Sequence, residues 1–417
     1  MRSDSDRLAL GVDFGTSGLR LALVDSNREA VDGGEQAAPY PSPFADPSGW
    51  LIGLKALVAA LPARLRRRVG AISLDGTSGT LLLCRPDGIP LGDALPYAIA
   101  CPEQADAVRA LVPAGCLAAG ASSSLARALR LLGQHRGGPC LLRHQADWLM
   151  GWLLGQWQWG EEGNNLRLGW DLQSGAWLGS LGEQPWSAAL PRIVPSGSCL
   201  GPLDPVAASA LALPLDCQVV AGTTDANAAV LAAEPKPDDG VTVLGTTLVL
   251  KQFVAGPIDA PGVSCHRLAG RWLVGGASNA GGGVLRRFFS DPQLEALSRQ
   301  IDLTRPSGLM LLPLPARGER FPVDDPDLEP ILGPRPVSDA LYLQGLLEGL
   351  ARIEARGWQR LNALGAPPIE RVISLGGGAR NPQWRQLRQR ALGLPVLNRP
   401  GLSSALGTAK LAMRGLG

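Results

Sequence analysis

The chain has 417 residues, with 39 lysines and arginines against 37 aspartates and glutamates. That length is too great for one compact core and suits two domains, and a net charge of +2 supplies no field to steer nucleic acid or an anionic membrane. The 53 glycines and 35 prolines are above average but spread along the chain, so they read as turns and not as a disordered tract.

Cysteines stand at 84, 101, 116, 140, 199, 217 and 265, with no C-x-x-C pair, and only His135, His144 and His266 could join them around a metal. A zinc site or disulfide framework is not expected, and a reducing, cytoplasmic compartment is. The opening MRSDSDRL has no apolar signal core. The apolar stretch Trp148–Leu154 is too short to cross a bilayer. Its tryptophans, four residues apart, predict a buried helix face.

In chain order, Leu8–Val12 is a short apolar run, and Leu19, Leu21 and Leu23 alternate with Arg20, Ala22 and Val24. Both runs predict strands. Between them lies Asp13-Phe14-Gly15-Thr16-Ser17-Gly18. Gly15 and Gly18 can take positive φ and let a ligand approach the backbone, and the turn's N–H groups form a candidate anion cradle. An ordinary glycine hairpin is the alternative. Asp32–Gly49 is soft, Trp50–Val58 predicts a helix, and Arg64–Arg68 reads as a solvated basic run. Ala71–Leu74 predicts a strand entering Asp75-Gly76-Thr77-Ser78-Gly79-Thr80 and leaving as Leu81–Cys84.

Val219–Ala221 ends another strand. Gly222-Thr223-Thr224 turns, and Asp225 opens an alanine-rich helix. Asp225 reads either as a cap or as a base kept ionised by the helix N-terminus. Glu234–Gly240 is a rigid polar connector. Val241–Val254 then repeats the first hairpin, with Gly245-Thr246-Thr247 as its turn. A glycine cluster follows at 281–283, before a helix over Val284–Phe289. Its close backbone approach is to a nucleotide or to a tight helix–strand corner. Asp339–Leu364 is long and periodic, with Leu343, Leu346, Leu347, Leu350 and Ile353 on one face. Strand Val372–Leu375 runs into Gly376-Gly377-Gly378, and Asn381 and Pro382 signal a helix start. Such a triplet suits a phosphate or ribose edge, or a plain turn.

The paired hairpins, the GTTD turn and the glycine triplet together resemble the FGGY family of sugar kinases, within the actin-like ATPase superfamily, over essentially the whole chain. HQADW at His144–Trp148 and NNLRLGWD at Asn164–Asp171 resemble its small cyanobacterial and plant branch, which phosphorylates ketopentoses such as D-ribulose. The resemblance implies an α/β fold of two actin-like (ribonuclease H-like) domains with a nucleotide and sugar cleft between them. Residues 1–235 would form the N-terminal sugar-binding and catalytic domain, and 236–417 the C-terminal nucleotide-binding domain.

It further implies ATP and Mg²⁺ as cofactors and a small sugar as the substrate partner, in a monomer or homodimer. Asp225 would be the general base, Asp13 would hold Mg²⁺ through water, and Thr16 would hold the γ-phosphate. Asp13, Ser78 and Asp225 would contact the sugar. Gly15, Thr16, Ser17, Gly245, Thr246, Thr247, Gly376, Gly377, Gly378 and Asn381 would bind ATP. Ser403–Ala409 resembles the family's closing helix, expected behind the adenosine site. The chain departs from the larger family at Leu95–Ala100, which lacks the acid and arginine of a Trp-x-Asp-x-Arg-like stretch. The alternatives are a D-xylulose kinase, a catalytically silent sugar sensor, and an actin- or chaperone-like ATPase.

Overall fold

A computed structural model describes residues 7–417. The chain divides into two compact units. The first holds the described residues up to Ala232, together with Arg267–Gly270 and Ser403–Gly417; the second holds Ala233–His266 and Arg271–Leu402.

The first unit is built on a six-stranded sheet. Its strands are β1 (Leu8–Gly15), β2 (Gly18–Val24), β3 (Gln36–Ala38), β4 (Val69–Gly76), β7 (Cys199–Pro202) and β8 (Gln218–Thr224), in the order β7-β8-β4-β1-β2-β3. A separate two-stranded sheet pairs β5 (Leu81–Cys84) with β6 (Leu141–His144). β1 and β2 form the predicted hairpin, closed at the pair Gly15–Gly18. β1, β4 and β8 run parallel.

These strands are apolar on both sides because helices cover both faces, the usual condition of a parallel sheet. α1 (Pro47–Ala59) starts where Asp46 caps Ser48 and Pro47 fixes the first turn. It delivers Trp50 into the core edge-on against Trp148 of α3 (Gln145–Leu154). Trp148 is buried and donates to the carbonyl of Gly88, so its helix face is core as the sequence predicts.

The last helix, α7 (Ser404–Ala412), corrects an expectation. It packs on β1, β2, β4 and β8 and belongs to the first unit, whereas the glycine triplet belongs to the second. Gly11 explains the fit: a Cβ there would stand 2.1 Å from the amide nitrogen of Ala409. Only a bare backbone lets the helix come this close.

The second unit repeats the plan. Its strands are β9 (Asp239–Leu244), β10 (Leu248–Val254), β11 (Val263–Leu268), β12 (Arg271–Ser278), β13 (Arg371–Leu375) and β14 (Val396–Asn398). Their order is β11-β12-β10-β9-β13-β14, with β9, β13 and β14 parallel. The long helix α5 (Asp339–Ala363) and α6 (Pro382–Leu392) pack on each other. α5 buries Leu343, Leu346, Leu347, Leu350 and Ile353, the predicted stripe. Inside this core Arg388 meets Glu354 through two nitrogens, at 2.5 and 2.6 Å, and both residues are fully buried. Among the described residues no helix is long and apolar enough to cross a membrane.

Candidate active site

Three neighbouring parallel strands of the first unit end in carboxylates. Asp13 of β1 lies directly opposite Asp75 of β4 in the register, and Thr223 of β8 opposite Asp75 on the other side. Asp225 then follows at the end of β8, where α4 (Asp225–Ala233) begins. A register shift between Val220 and Thr223 bends β8 before this point. Gly222 sits in the bend, where a Cβ would come within 1.7 Å of the Leu74 carbonyl.

Asp13 is buried, and Arg20 across the hairpin donates to its Oδ2 at 3.2 Å. Its Oδ1 accepts from no group but Asp75 among the described residues. Asp75 is fully buried. Thr408 of α7 donates to its Oδ2, and its Oδ1 likewise meets no group but Asp13. Burial pushes both carboxyls above the usual range, and the charge of Asp13 pushes Asp75 further. Tyr40 closes this corner by donating to the Gly15 carbonyl at 2.9 Å. Burial raises its phenol, and the charges of Asp13, Asp75 and Asp225 add to that.

Asp225 corrects a second expectation. Burial pushes its pKa up to about 6, aided by the charge of Asp13 and opposed only by its bond from the Ala226 amide. The helix N-terminus therefore does not hold it firmly ionised; desolvation wins. Its capping geometry is also thin. Oδ1 accepts from the very next amide, Ala226, at 2.7 Å, whereas a cap serves the second or third amide of a helix. The backbone is pinned instead by Ser404, whose hydroxyl donates to the Asp225 carbonyl at 3.0 Å.

Thr16 and Ser17 are exposed at the tip of the first hairpin, while Gly15 and Gly18 are buried at its neck. Ser78 is half-buried in the turn after β4. Around it, the stretch without the family's acid and arginine is organised from elsewhere. The buried guanidinium of Arg127, on α2 (Ser124–Gln134), donates to the carbonyls of Gly79, Tyr97, Ile99 and Ser122. It ties the Ser78 turn to residues 97–99 by main-chain bonds, so no side chain of Leu95–Ala100 is needed for that.

In the second unit, Gly245, Thr246 and Thr247 form the hairpin tip. The glycine cluster resolves as a corner packed on this tip. Gly282 and Gly283 donate to the carbonyls of Gly245 and Thr246 at 2.9 and 3.1 Å, and a Cβ on Gly281 would stand 2.5 Å from the Thr246 oxygen. Gly376 has φ of +83°, and a Cβ there would stand 2.8 Å from the Leu244 carbonyl. Gly378 is needed because Trp384 covers it, whereas a Cβ on Gly377 would meet nothing within 4 Å. Asn381 caps α6, its Oδ1 accepting from the Trp384 amide at 2.9 Å and its Nδ2 donating to Ser298 at 2.8 Å. Its side chain is thus spent on the helix start.

Sequence reasoning missed Asp75, Tyr40 and Thr408. Asp75 carried a legible sign, since it follows an apolar run and precedes Gly-Thr, much as Asp13 does. The other two carried none.

The carboxyls of Asp13 and Asp75 pair with each other across the strands, and Asp13 Oδ1 and Asp75 Oδ1 accept from no other group among the described residues, a pairing of acids that suits a hard cation or its water shell. Among the described residues, no three acids, histidines or cysteines converge to hold a metal by themselves. That donor set fits Mg²⁺, which keeps several waters and shares its binding with substrate phosphates.

Residues 219–416 match the C-terminal domain of the FGGY family of carbohydrate kinases. The chain is 28% identical to the xylulose kinase of Escherichia coli over 242 residues, 54% of this chain and 48% of that protein. The match thus spans about half the length of that relative. In shape, the chain resembles a xylulose kinase from Rhodospirillum rubrum with a TM-score of 0.82 at 24% identity, covering 99% of this chain and 90% of that one. It also resembles the glycerol kinase of Plasmodium falciparum solved with ADP, with a TM-score of 0.81 at 15% identity over 98% and 90% of the two chains. The fold is therefore the two-domain actin-like α/β fold of these kinases.

Proposed function

We propose that the protein transfers the γ-phosphoryl group of ATP to the 5-hydroxyl of a ketopentose, a reading supported by the match of residues 219–416 to the C-terminal domain of the FGGY family of carbohydrate kinases. D-Ribulose is the acceptor the sequence resemblance favours, and the relatives named xylulose kinases set D-xylulose beside it. The observation that carries the reading is Asp225, a desolvated carboxylate inside the family match, at a strand end beside two further acids.

In this mechanism Asp225 would accept the proton of the attacking hydroxyl as its oxygen bonds to phosphorus. The bond from the γ-phosphorus to the bridging oxygen breaks, and ADP leaves with the electron pair. A pKa of about 6 leaves Asp225 mostly ionised at pH 7 yet basic enough to take a proton. Asp13, with Asp75 beside it, would hold Mg²⁺ through water. Bound there, Mg²⁺ supplies neutralisation of the charge spread over the phosphoryl oxygens. Thr16, Ser17 and the Gly15 backbone would hold the phosphate end, with Gly245, Thr246 and Thr247 of the second unit. Gly376, Gly377 and Gly378 would line the nucleoside end, and Asn381 would shape it as the cap of α6. Ser78 would bind a sugar hydroxyl.

The test is a coupled ADP-release assay across D-ribulose, D-xylulose, L-ribulose, ribitol and glycerol, with the phosphate position of the product read by phosphorus–proton NMR. Stimulation by a ketopentose, with phosphate on its terminal carbon, is expected. Better turnover on D-xylulose would move the assignment to that sugar. ADP release that no sugar stimulates would overturn the kinase reading.

A further inference from the structure

Glu319 lies on the loop before α5 and is buried in the second unit. Its main chain bonds to that of Asp325 in both directions, at 2.8 and 2.9 Å, which draws the loop tight. Phe321, two residues on, packs over Gly276 of β12, where a Cβ would stand 2.3 Å from its ring. The loop is thus seated on β12, and the Glu319 side chain reaches the end of that strand.

Its Oε1 accepts from the Asn279 amide at 2.7 Å, and its Oε2 accepts from the Ser278 hydroxyl. Ser278 Oγ in turn accepts from the Ala280 amide at 3.0 Å. Asn279 Nδ2 donates to the carbonyl of Gly318, beside Glu319 in the chain, at 3.0 Å. A carboxyl group offers two oxygens, so it can take donors from several residues at once. One side chain therefore fixes three consecutive residues, Ser278, Asn279 and Ala280, directly or through one hydroxyl.

Those residues carry the hairpin tip. The Leu248 amide, just past the tip, donates to the Ala280 carbonyl at 2.7 Å. Gly282 and Gly283, next along the chain, hold the carbonyls of Gly245 and Thr246. With both carbonyls occupied at the corner, the corner decides where Thr246 stands, exposed at the tip.

We propose that Glu319 is a positioning residue for the phosphate end of ATP: by holding Ser278–Ala280 it sets where the Gly245–Thr247 tip meets the outer phosphates. This rests on the sugar-kinase reading, in which that tip grips ATP, and Glu319 itself touches no substrate. A loop already in place binds at lower cost than one that must first be ordered. Loosening the corner therefore weakens the hold on phosphate and leaves the nucleoside end at Gly376, Gly377 and Gly378 as it was.

The experiment measures calorimetric affinity for ATP and for adenosine in wild type, Glu319→Gln, Ser278→Ala and the double variant, with KM for ATP and for the sugar. Glu319→Gln keeps the shape of the side chain, but its amide nitrogen cannot take the proton of the Ser278 hydroxyl. ATP affinity should fall about 10-fold, the worth of one such hydrogen bond. KM for ATP should rise alike, while adenosine affinity and the sugar KM hold. Ser278→Ala removes the hydroxyl between Glu319 and Ala280, so it should lose a similar amount and gives the reading if Glu319→Gln fails to fold. The two losses should not add in the double variant, because they break one chain of bonds. Equal losses for ATP and adenosine would reduce Glu319 to a general brace of its unit and overturn the proposal. Unchanged ATP affinity would also overturn it. If wild type binds ATP but no sugar stimulates ADP release, the kinase reading fails and the calorimetry still decides the role of Glu319. If wild type binds no nucleotide, both fail.

Discussion

The two sheets share a five-strand core, β3-β2-β1-β4-β8 in the first and β12-β10-β9-β13-β14 in the second, but end differently. In each, a hairpin strand pairs in parallel with a later strand that runs into glycine. In the first sheet the facing residues at that edge are Asp13 and Asp75, followed by Gly76; in the second they are Val243 and Leu375, followed by Gly376. One frame thus carries two chemistries. Buried carboxylates make the first edge able to hold a proton or a cation. Apolar side chains and bare glycines make the second edge mostly backbone, which suits close approach by a nucleotide. A strand edge specifies geometry, and the residue types placed on it specify function.

The sharpest way to break this contrast is at Asp225. Asp225→Asn keeps the size of the side chain and removes the base. Turnover should fall roughly 10²–10⁴-fold, the usual worth of a general base, with KM for ATP little changed. Steady-state kinetics of the variant check it. Near-normal turnover would leave the first edge as mere structure, no more catalytic than the second.

The same residue predicts a pH dependence. A base must be deprotonated, so kcat/KM for the sugar should rise with pH through about 6, the pKa at which burial holds Asp225. Below that point it should drop about tenfold per pH unit. A profile flat from pH 5 to 8 would remove Asp225 from the proton path.

Much of this contrast is legible in the sequence, and the reasons are local. The hairpins announce themselves through apolar runs interrupted by Gly-Thr, and α6 through Asn381 and Pro382, because turns and caps depend on residues close in the chain. Asp225 could be found for the same reason. The electrostatics could not. Whether Asp225 is held ionised or pushed toward neutrality depends on burial and on Asp13, far away in sequence. The Thr408–Asp75 bond joins residues 333 positions apart, and no spacing rule reports it. The docking of α7 on the first unit was hidden likewise, since it depends on Gly11 meeting Ala409. Arg127 shows the reverse case. Residues 95–100 looked deficient, yet a side chain from another helix organises them.

The second edge is probed most cleanly at Gly377, where a side chain has room in the free protein. Gly377→Val should leave the melting temperature nearly unchanged. If a nucleoside lies against this backbone, KM for ATP should rise on the order of 10-fold while the sugar KM holds. Unaltered ATP kinetics would remove Gly377 from the nucleotide contacts.

The smallest expected effect returns to Asp225 and concerns stability. Its carboxyl titrates near 3.8 when unperturbed and near 6 in the fold. The folded protein therefore holds its proton more tightly than the unfolded chain does. Between these two values the folded state binds more protons, so this group's contribution to stability falls as pH rises and is least favourable above about 6. Asp225→Asn removes that charge and should stabilise the fold by about 1–2 kcal/mol at pH 8, allowing for the part of the side chain that solvent reaches. The melting temperature should then rise by roughly 2–6 °C at pH 8. Below about pH 3 the carboxyl is protonated in both states, and the gain should disappear. Thermal melts of the two proteins at pH 3 and pH 8 measure it. A gain equal at both pH values would point to packing in place of charge. A loss at pH 8 would mean that the carboxylate stabilises its own helix, as a cap would. The expected pairing of a lower turnover with a higher melting temperature is what a working acid in a dry place costs its fold.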